Sequence, residues 1–483
     1  MKMNQSSSRT GRQMMVGSIR IFLAEALILP TGFITAVFLA RSLGPVNYGL
    51  FALVSRLIDW TEMISTSAFA STTVKFVAEE SDWKAVGATV ARLHLIMGGS
   101  IGLLLWLLSS PLSHLFNEPA MDEYIKLFAI DLPIFSLACA NGNILIGMGR
   151  FRERARMRAG RWIARFMLIV LFVEMGLSVR GAILGSIGAS VAELVISWFY
   201  VRPSLISKSA FPIRRLWGFA VPLFMSATSL RIFKLDLFAL KVLGGTAAHA
   251  GFYGAALNLA RPITLISQSL WPPLLSTLSQ LLAEGNEAEA KEIGKTVIRF
   301  VLWNIPFAAM IAGAAPEIVD FIFGQEFLPA GPILSLLIFS VFGLFTIKIS
   351  NAILTALNKP GWTFMVTGPM VPLALIGHLI LTPKMAGVGA AIVTTVIASL
   401  IALVSVFAVY RIWGIYPPVK TLLKSIFCSV LAFALASLWP ASGLMLILKL
   451  TVITVVILLT FFLLREFTAR EIALVRSLIC GRL

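Results

Sequence analysis

Several basic side chains of this chain lie inside long apolar stretches, where a charge is unusual. A charge in the hydrocarbon interior of a membrane is costly, so it normally faces a cavity or a partner of opposite charge. Guanidinium groups bind phosphate with two parallel hydrogen bonds, and lysine adds a point charge. The pattern therefore predicts a water-filled cavity with a cationic, anion-binding lining, formed by Arg56, Arg231, Lys234, Arg261 and Lys348.

Amide side chains accompany two of these cations at helical spacing. Asn258 lies one turn before Arg261, and Asn351 lies one turn after Lys348, so each pair shares a helix face. We expect both amides to line the same cavity. The alternative is local neutralisation, in which the cations pair with nearby acidic residues and lysines near helix ends extend towards the membrane surface.

Acidic residues within the apolar stretches are candidates for coupling to an H+ or Na+ gradient. Asp59 also lies one turn after Arg56 and is the natural partner for local neutralisation there. Glu193 is expected near a helix end or a lobe surface. The candidates for coupling are Glu25, Asp59, Glu62 and Asp236.

Metal binding and covalent catalysis have little support in the sequence. The three cysteines are far apart, and the four histidines form no His-x-x-x-His pair, so neither a disulfide framework nor a zinc site is indicated. We expect no catalytic residues, no metal and no cofactor beyond an ion gradient or the membrane potential. The chain is therefore not expected to be an enzyme.

The elements that must position these residues are membrane-spanning helices. Apolar residues make up 58% of the 483 residues and charged residues only 13%, against about 25% in soluble proteins. Because a helix needs about 20 apolar residues to cross the hydrocarbon core, the apolar stretches predict about fourteen spans. The two most closely spaced pairs of spans meet around Arg180 and Lys384. The predicted class is an all-α integral membrane protein.

The net charge of +17 is concentrated on one side of the predicted membrane protein. Lys and Arg residues fill alternate loops, which the positive-inside rule assigns to the cytoplasm together with both termini. The densest segment, Arg150 to Arg161, is interpreted as a topology signal; the alternative is contact with anionic lipid head groups. This distribution argues against a nucleic-acid partner.

A repeated motif indicates an internal duplication. The pattern Lys-x-x-Gly-x-Thr-Val-x-Arg begins at Lys84 and again at Lys291, each time at the start of an apolar run. Each copy would hold six helices, an even number that keeps the two copies in the same orientation. We expect two parallel six-helix lobes, residues 1–205 and 206–412, followed by two extra helices and a cytoplasmic tail at 413–483.

Two segments resemble a known family. The segment 40–49 reads Ala-Arg-Ser-Leu-Gly-Pro-x-x-Tyr-Gly, and the segment 323–332 reads Phe-Gly-x-Glu-Phe-x-x-Ala-x-Pro. Both are similar to signatures of the polysaccharide repeat-unit flippases of O-antigen and exopolysaccharide synthesis. These flippases belong to the multidrug/oligosaccharidyl-lipid/polysaccharide (MOP) exporter superfamily. The resemblance covers nearly the whole chain and implies the V-shaped, two-lobed fold of the multidrug (MATE) exporters.

The resemblance also implies a function. Such a flippase moves polyprenyl-pyrophosphate-linked oligosaccharide repeat units from the cytoplasmic to the periplasmic leaflet of a bacterial inner membrane by alternating access. The cationic lining would hold the pyrophosphate. Membrane lipids, a polysaccharide polymerase and export machinery are the implied partners, and we expect the chain to act as a monomer.

Three alternatives remain at the level of sequence. A MATE-type cation or drug antiporter would need an acidic, aromatic cavity, which the basic residues disfavour. A flippase for lipid II, the peptidoglycan precursor, would share the same chemistry. A membrane polymerase or glycosyltransferase would need a large outer loop with catalytic groups, whereas the outer loops predicted here are short.

Overall fold

The computed structural model describes residues 28–80, 82–203, 211–214, 216, 235–415 and 418–466. Within these ranges the chain forms α-helices, one π-helical turn and one 3-10 turn, and no strand. The predicted all-α class is confirmed.

The described chain divides into two compact units. The first holds the described residues up to Val242 together with Thr246–Gly251, and the second holds Leu243–Gly245 and the described residues from Phe252 onwards. The change of unit falls within 242–252, whereas the sequence places the lobe boundary at 205–206. The division into two six-helix lobes and a C-terminal tail remains a prediction.

The first unit begins with the longest helix, which bends where Gly44 adopts a φ of 69° ahead of Pro45. Proline lacks a backbone N–H, so the helical hydrogen bonding is interrupted at this point. The described helices of this unit are α1 (Ile28–Glu79), α2 (Trp83–Leu107), α3 (Ser109–Leu115), α4 (Ala120–Ala129), α5 (Asp131–Gly147), α6 (Phe151–Phe172), α7 (Ser178–Tyr200) and α8 (Asp236–Val242).

Helix α9 starts in the first unit and continues into the second. A short 3-10 turn, Gln325–Phe327, lies between α12 and α13. The helices from here on are α9 (Ala247–Ala283), α10 (Glu287–Trp303), α11 (Ile305–Gly313), α12 (Ala315–Phe323), α13 (Ala330–Ala356), α14 (Pro360–Thr367), α15 (Met370–Trp413), α16 (Val419–Leu438) and α17 (Leu444–Leu463).

A π-helical turn at Val173–Leu177 reverses the chain between α6 and α7. Gly176 there has a φ of 86°, a conformation that glycine adopts without steric cost. The two helices pack closely, since a Cβ atom on Gly185 would lie only 2.6 Å from the backbone nitrogen of Ile169. This hairpin agrees with the close pair of spans predicted around Arg180.

Helix α15 contains a second reversal. Ala386 has a φ of 46°, and the segments on either side pack against each other, since a Cβ atom on Gly389 would lie 2.8 Å from the carbonyl carbon of Leu381. The reversal agrees with the close pair of spans predicted around Lys384.

Nine helical stretches of the described chain are long and apolar enough to cross a membrane. Two of them, Phe151–Tyr200 and Gly361–Trp413, hold 50 and 53 residues. At about 1.5 Å per residue each is far longer than the roughly 30 Å hydrocarbon core. Because each contains one of the reversals, each can cross twice. The expected fourteen crossings remain a prediction.

The two copies of the repeated motif lie in the first turns of helices α2 and α10, and each contacts a later part of its own unit. The Thr89 hydroxyl accepts a hydrogen bond of 2.9 Å from the Phe211 backbone N–H, in the segment that follows α7. A Cβ atom on Gly294 would lie 3.2 Å from the side chains of Trp413 and Ile415, at the end of α15. In each unit the motif therefore contacts the chain that leaves the long hairpin, through the threonine in the first copy and through the glycine in the second.

Candidate functional site

The residues predicted to line a cavity or couple to an ion fall on several helices. Glu25, Arg231 and Lys234 lie outside the described residues. The others are Arg56, Asp59 and Glu62 on α1, Asp236 on α8, Asn258 and Arg261 on α9, and Lys348 and Asn351 on α13.

The predicted residues of the first unit have different environments. Asp59 is exposed, whereas Arg56 and Glu62 are half-buried, and no ion pair joins Arg56 to Asp59, both of which are described. Local neutralisation of Arg56 by Asp59 is therefore not observed. Asp236 is buried at the start of α8, where its carboxylate accepts a 3.0 Å hydrogen bond from the Leu237 N–H. That contact stabilises the first turn of the helix.

Lys348 and Asn351 form a polar stripe on helix α13, in which Lys348 is the one charged residue. Both side chains are half-buried, and Lys348 makes no ion pair with any carboxylate in the described ranges. The Oδ1 atom of Asn351 is buried and has no hydrogen-bond partner there. A cation beside a free acceptor suits a ligand that carries both an anionic group and hydroxyl groups.

Helix α9 carries the other predicted pair of the second unit. Asn258 is half-buried and Arg261 is exposed. Both side chains already take part in contacts within the protein, so they differ from the stripe on α13. Their role in binding a ligand remains a prediction.

The densest group of buried charges surrounds Glu193 of α7, whose side chain is 1% exposed. Its carboxylate accepts hydrogen bonds from Arg154 at 3.5 Å, Arg158 at 3.4 Å and Arg161 at 3.0 Å. The three arginines share one face of α6 because their spacing matches the helical turn. The Arg161 guanidinium also lies 4.3 Å from the centre of the Phe135 ring. Three cations around one carboxylate give this cluster a net positive charge.

A pair of carboxyl groups adjoins the arginines. Asp131 of α5 is 1% exposed, and it lies within electrostatic range of Glu62, Arg161 and Arg165, with the Ser190 hydroxyl nearby. Two carboxylates at short range repel each other unless cations or a proton offset their charge. The neighbouring guanidinium groups supply part of that compensation.

Close packing of α5 and α6 brings these groups together. A Cβ atom on Gly142 of α5 would lie 2.8 Å from the guanidinium carbon of Arg154, so a larger residue at position 142 would displace that arginine. The arginine cluster therefore depends on a glycine in a neighbouring helix as well as on its counter-ion.

Two interpretations of the sequence are corrected here. The basic run from Arg150 to Arg161 is more than a topology signal, because α6 already begins at Phe151 and buries Arg154 and Arg161. Glu193 is not at a lobe surface, because it is the buried counter-ion of that run.

Asp131, Arg158 and Arg165 belong to this group of charges but were not predicted from the sequence to bind a ligand or an ion. The repeat of arginines at 154, 158, 161 and 165 has the three-to-four-residue spacing of a helix face, which was a usable signal. Nothing in the local sequence pointed to Asp131.

A cavity of about 390 Å³ lies between α1 and α5 and is lined by Ala70, Val74, Lys75 and Asn143. The ammonium group of Lys75 also lies 3.9 Å from the Glu79 carboxylate, which already offsets its charge. Within the described residues, no set of three or more His, Cys, Asp or Glu side chains is placed to hold a metal ion.

Comparison with known sequences gives matches along most of the chain. The family described as "Polysaccharide biosynthesis protein" matches residues 38–332, a segment that contains both copies of the repeated motif. A protein of Haloferax volcanii named "Probable low-salt glycan biosynthesis flippase Agl15" is 24% identical over 383 residues, which is 78% of this chain and 79% of the relative.

Solved structures with the same fold are membrane transporters. The lipid II flippase MurJ in an inward closed conformation superposes with a TM-score of 0.72 at 15% identity, covering 95% of this chain and 100% of that one. An inward-facing MATE family transporter of the MOP superfamily gives a TM-score of 0.67 at 13% identity, covering 82% and 98%. These likenesses confirm the predicted fold of that superfamily.

Proposed function

Since the chain belongs to the family of polysaccharide biosynthesis proteins, we propose that it is a flippase for a lipid-linked glycan precursor. The proposed cargo is a polyprenyl-pyrophosphate-linked oligosaccharide that moves from the cytoplasmic to the outer leaflet. The family match over residues 38–332, the name of the Haloferax volcanii relative and the transporter fold support this function.

The stripe of Lys348 and Asn351 is the observation that carries the proposal. Lys348 lies on a 27-residue helix that carries no other charged residue, and it has no acidic partner among the described residues. An unpaired charge at such a position is costly unless water or a ligand compensates it. A pyrophosphate would neutralise Lys348, and a sugar hydroxyl would satisfy the Asn351 oxygen.

The remaining predicted lining residues would extend this site. We propose that Arg56, Arg231, Lys234, Asn258 and Arg261 contribute further contacts to the head group as it moves. Without such contacts, each polar group of the sugar would lose several kcal/mol of hydration in hydrocarbon. An inside-negative potential favours outward movement of the anion by about 2.3 kcal/mol per charge at roughly 100 mV.

Coupling to an ion gradient is proposed for the carboxyl pair formed by the half-buried Glu62 and the buried Asp131. A proton or Na+ held between two carboxyl groups relieves their repulsion, and its release would shift the charge balance of the arginines beside them. Glu25, Asp59 and Asp236 stay in the proposed set. In this scheme the ion gradient drives transport without any catalytic group.

We propose that the protein lies in the cytoplasmic membrane as a multi-pass protein, with both termini inside, and that it acts as a monomer. Its cargo comes from glycosyltransfer reactions at the inner leaflet and passes to a polysaccharide polymerase and export machinery on the other side.

A second candidate function is the flipping of lipid II, favoured by the structural likeness that spans 95% of this chain. That cargo carries the same polyprenyl pyrophosphate, so the cationic lining fits it equally. Antiport of a cationic drug, the third transport function considered, fits a lysine without an acidic partner less well because the charges repel.

The test is reconstitution of the full chain in proteoliposomes with three cargoes measured side by side. We expect a polyprenyl-pyrophosphate oligosaccharide to cross faster than in empty liposomes, and a lipophilic cationic dye not to. Faster movement of lipid II alone would assign the second function. Transport of the dye alone would contradict both flippase assignments.

A further inference from the structure

The arginines at the start of α6 lie on two opposite faces of the helix. Arg154, Arg158 and Arg161 face Glu193, as described above. At about 100° per residue, Arg152 and Arg156 lie roughly half a turn around the helix from that inner face. Both of these side chains are exposed.

The outer face continues as an apolar stripe. Ile163, Met167 and Leu171 follow Arg156 at intervals of about one or two turns and are 51%, 60% and 52% exposed. Large exposed apolar side chains along one face of a membrane-spanning helix indicate contact with lipid tails. Along the helix, this face therefore changes from basic to apolar. The membrane changes in the same way between the anionic head groups and the hydrocarbon core.

Neither outer arginine side chain has a partner among the described residues. The guanidinium groups of Arg152 and Arg156 make no hydrogen bond or ion pair there. Two nearby arginines, in contrast, bind backbone carbonyl groups of the protein. Arg150 donates a 2.9 Å hydrogen bond to the Tyr200 carbonyl, and Arg202 donates one of 3.0 Å to the Trp198 carbonyl. The charge of this outer pair is thus available to a ligand.

Aromatic side chains lie at the same level of the hairpin. Gly160 of α6 packs against Ile196 of α7, so the end of α7 lies beside the first turns of α6. Trp198 is 40% exposed and Phe199 is 74% exposed there. Exposed aromatic residues of this kind are enriched at the boundary between lipid head groups and tails.

We propose that Arg152 and Arg156 form a binding site for the head groups of anionic phospholipids in the cytoplasmic leaflet. Their guanidinium groups bind the lipid phosphate, and the stripe from Ile163 to Leu171 contacts the acyl chains. The occupant is a bilayer phospholipid rather than the transported precursor, since the outer arginines are not part of the lining proposed for the cargo and continue into an exposed apolar stripe. This inference does not depend on the identity of the cargo.

Native mass spectrometry of the full chain in mild detergent tests this site, with phosphatidylglycerol and phosphatidylcholine as probes. We expect the wild type to retain more phosphatidylglycerol and to melt at a higher temperature with it. In Arg152→Gln/Arg156→Gln the preference for phosphatidylglycerol should fall about ten-fold or more, since each basic residue near an anionic surface contributes to attraction. Arg152→Lys/Arg156→Lys should retain most of it.

Lys84→Gln/Arg411→Gln is the matched control, because it removes two exposed positive charges outside this stripe. We expect it to bind phosphatidylglycerol as the wild type does. Equal retention of both lipids by the wild type would overturn the proposal. An equal loss of preference in the control, or full competition by inorganic pyrophosphate, would overturn it as well.

Discussion

At the scale of single residues, the charge balance around Glu193 is the strongest constraint. One carboxylate holds Arg154, Arg158 and Arg161 at 3.0 to 3.5 Å in a buried position. A buried ion pair is not by itself a strong source of stability, but removing one partner leaves an uncompensated buried charge. The arginines of α6 therefore depend on Glu193 for their buried position.

Glu193→Gln should destabilise the protein by about 3–5 kcal/mol, because it keeps the size of the side chain and removes the counter-charge of three arginines. The measurement is the thermal midpoint of purified protein in detergent. Glu174→Gln is the control, since Glu174 is exposed at the far end of the same hairpin. Equal midpoints for wild type and Glu193→Gln would show that the cluster does not need this carboxylate.

At the scale of helices, the two C-terminal helices are attached to the second unit at both ends of α17. Near its start, Lys449 is fully buried and ion-paired with Glu317 of α12. After its end, Glu466 accepts hydrogen bonds from Arg299, at 3.2 Å, and from Lys424, at 2.8 Å. Arg299 ends the second copy of the repeated motif, so the duplicated unit itself supplies part of this attachment.

The attachment at Glu466 should weaken in acid. Burial raises the pKa of Glu466, but hydrogen bonds from Lys424, Thr421 and Trp303 outweigh it and hold the pKa below the ordinary value of 4.5. A carboxyl group with a lowered folded-state pKa stabilises the fold above its unfolded-state pKa and loses that effect as the pH falls through the folded-state value. The contribution should be full at neutral pH, start to fall near the unfolded-state pKa and disappear as the pH falls through the lower folded-state value.

Thermal midpoints of wild type and Glu466→Gln between pH 7 and pH 3.5 measure this contribution. We expect the wild type to have the higher thermal midpoint at pH 7 and the difference between the two midpoints to disappear in acid. Glu326→Gln, at an exposed carboxylate, should have the wild-type midpoint at every pH. A midpoint difference between wild type and Glu466→Gln that stays constant over this range would contradict the assignment.

Much of the helix arrangement could be predicted from the sequence, because it depends on local patterns. The repeated motif marked the starts of α2 and α10, and the short polar breaks at Arg180 and Lys384 marked the two reversals. The pairing of Glu193 with arginines on another helix could not be predicted, since it depends on how α6 and α7 pack. The basic run from Arg150 to Arg161 was interpreted as a topology signal, because nothing local to it shows that it forms the first turns of α6.

At the scale of the whole molecule, composition and motifs predicted the class and the family. A chain with 58% apolar residues must satisfy its backbone hydrogen bonds internally in lipid, which favours helices. The segments 40–49 and 323–332 then pointed to the superfamily whose fold the structure shares. The candidate site was predicted less fully, because Lys348 and Asn351 were identified while Asp131 and Glu193 were not.

The central claim is that this fold binds the pyrophosphate of a lipid-linked glycan through cations such as Lys348, which has no acidic partner within the described residues and lies one turn from a buried amide oxygen without a partner there. A hydrogen bond to a charged group contributes about 1.5–3 kcal/mol. Loss of Lys348 should therefore weaken binding of the head group by roughly 10- to 100-fold. A cation with a purely structural role would not discriminate between charged and neutral cargo.

The most direct test is the initial rate of polyprenyl-pyrophosphate-oligosaccharide movement in proteoliposomes containing Lys348→Ala, with Lys359→Ala as control. Lys359 is exposed just beyond the end of the same helix, so both variants lose one charge from this region. We expect the rate at low cargo concentration to fall at least ten-fold in Lys348→Ala and to stay at the wild-type value in Lys359→Ala. Equal rates in the two variants at equal protein content would contradict the account.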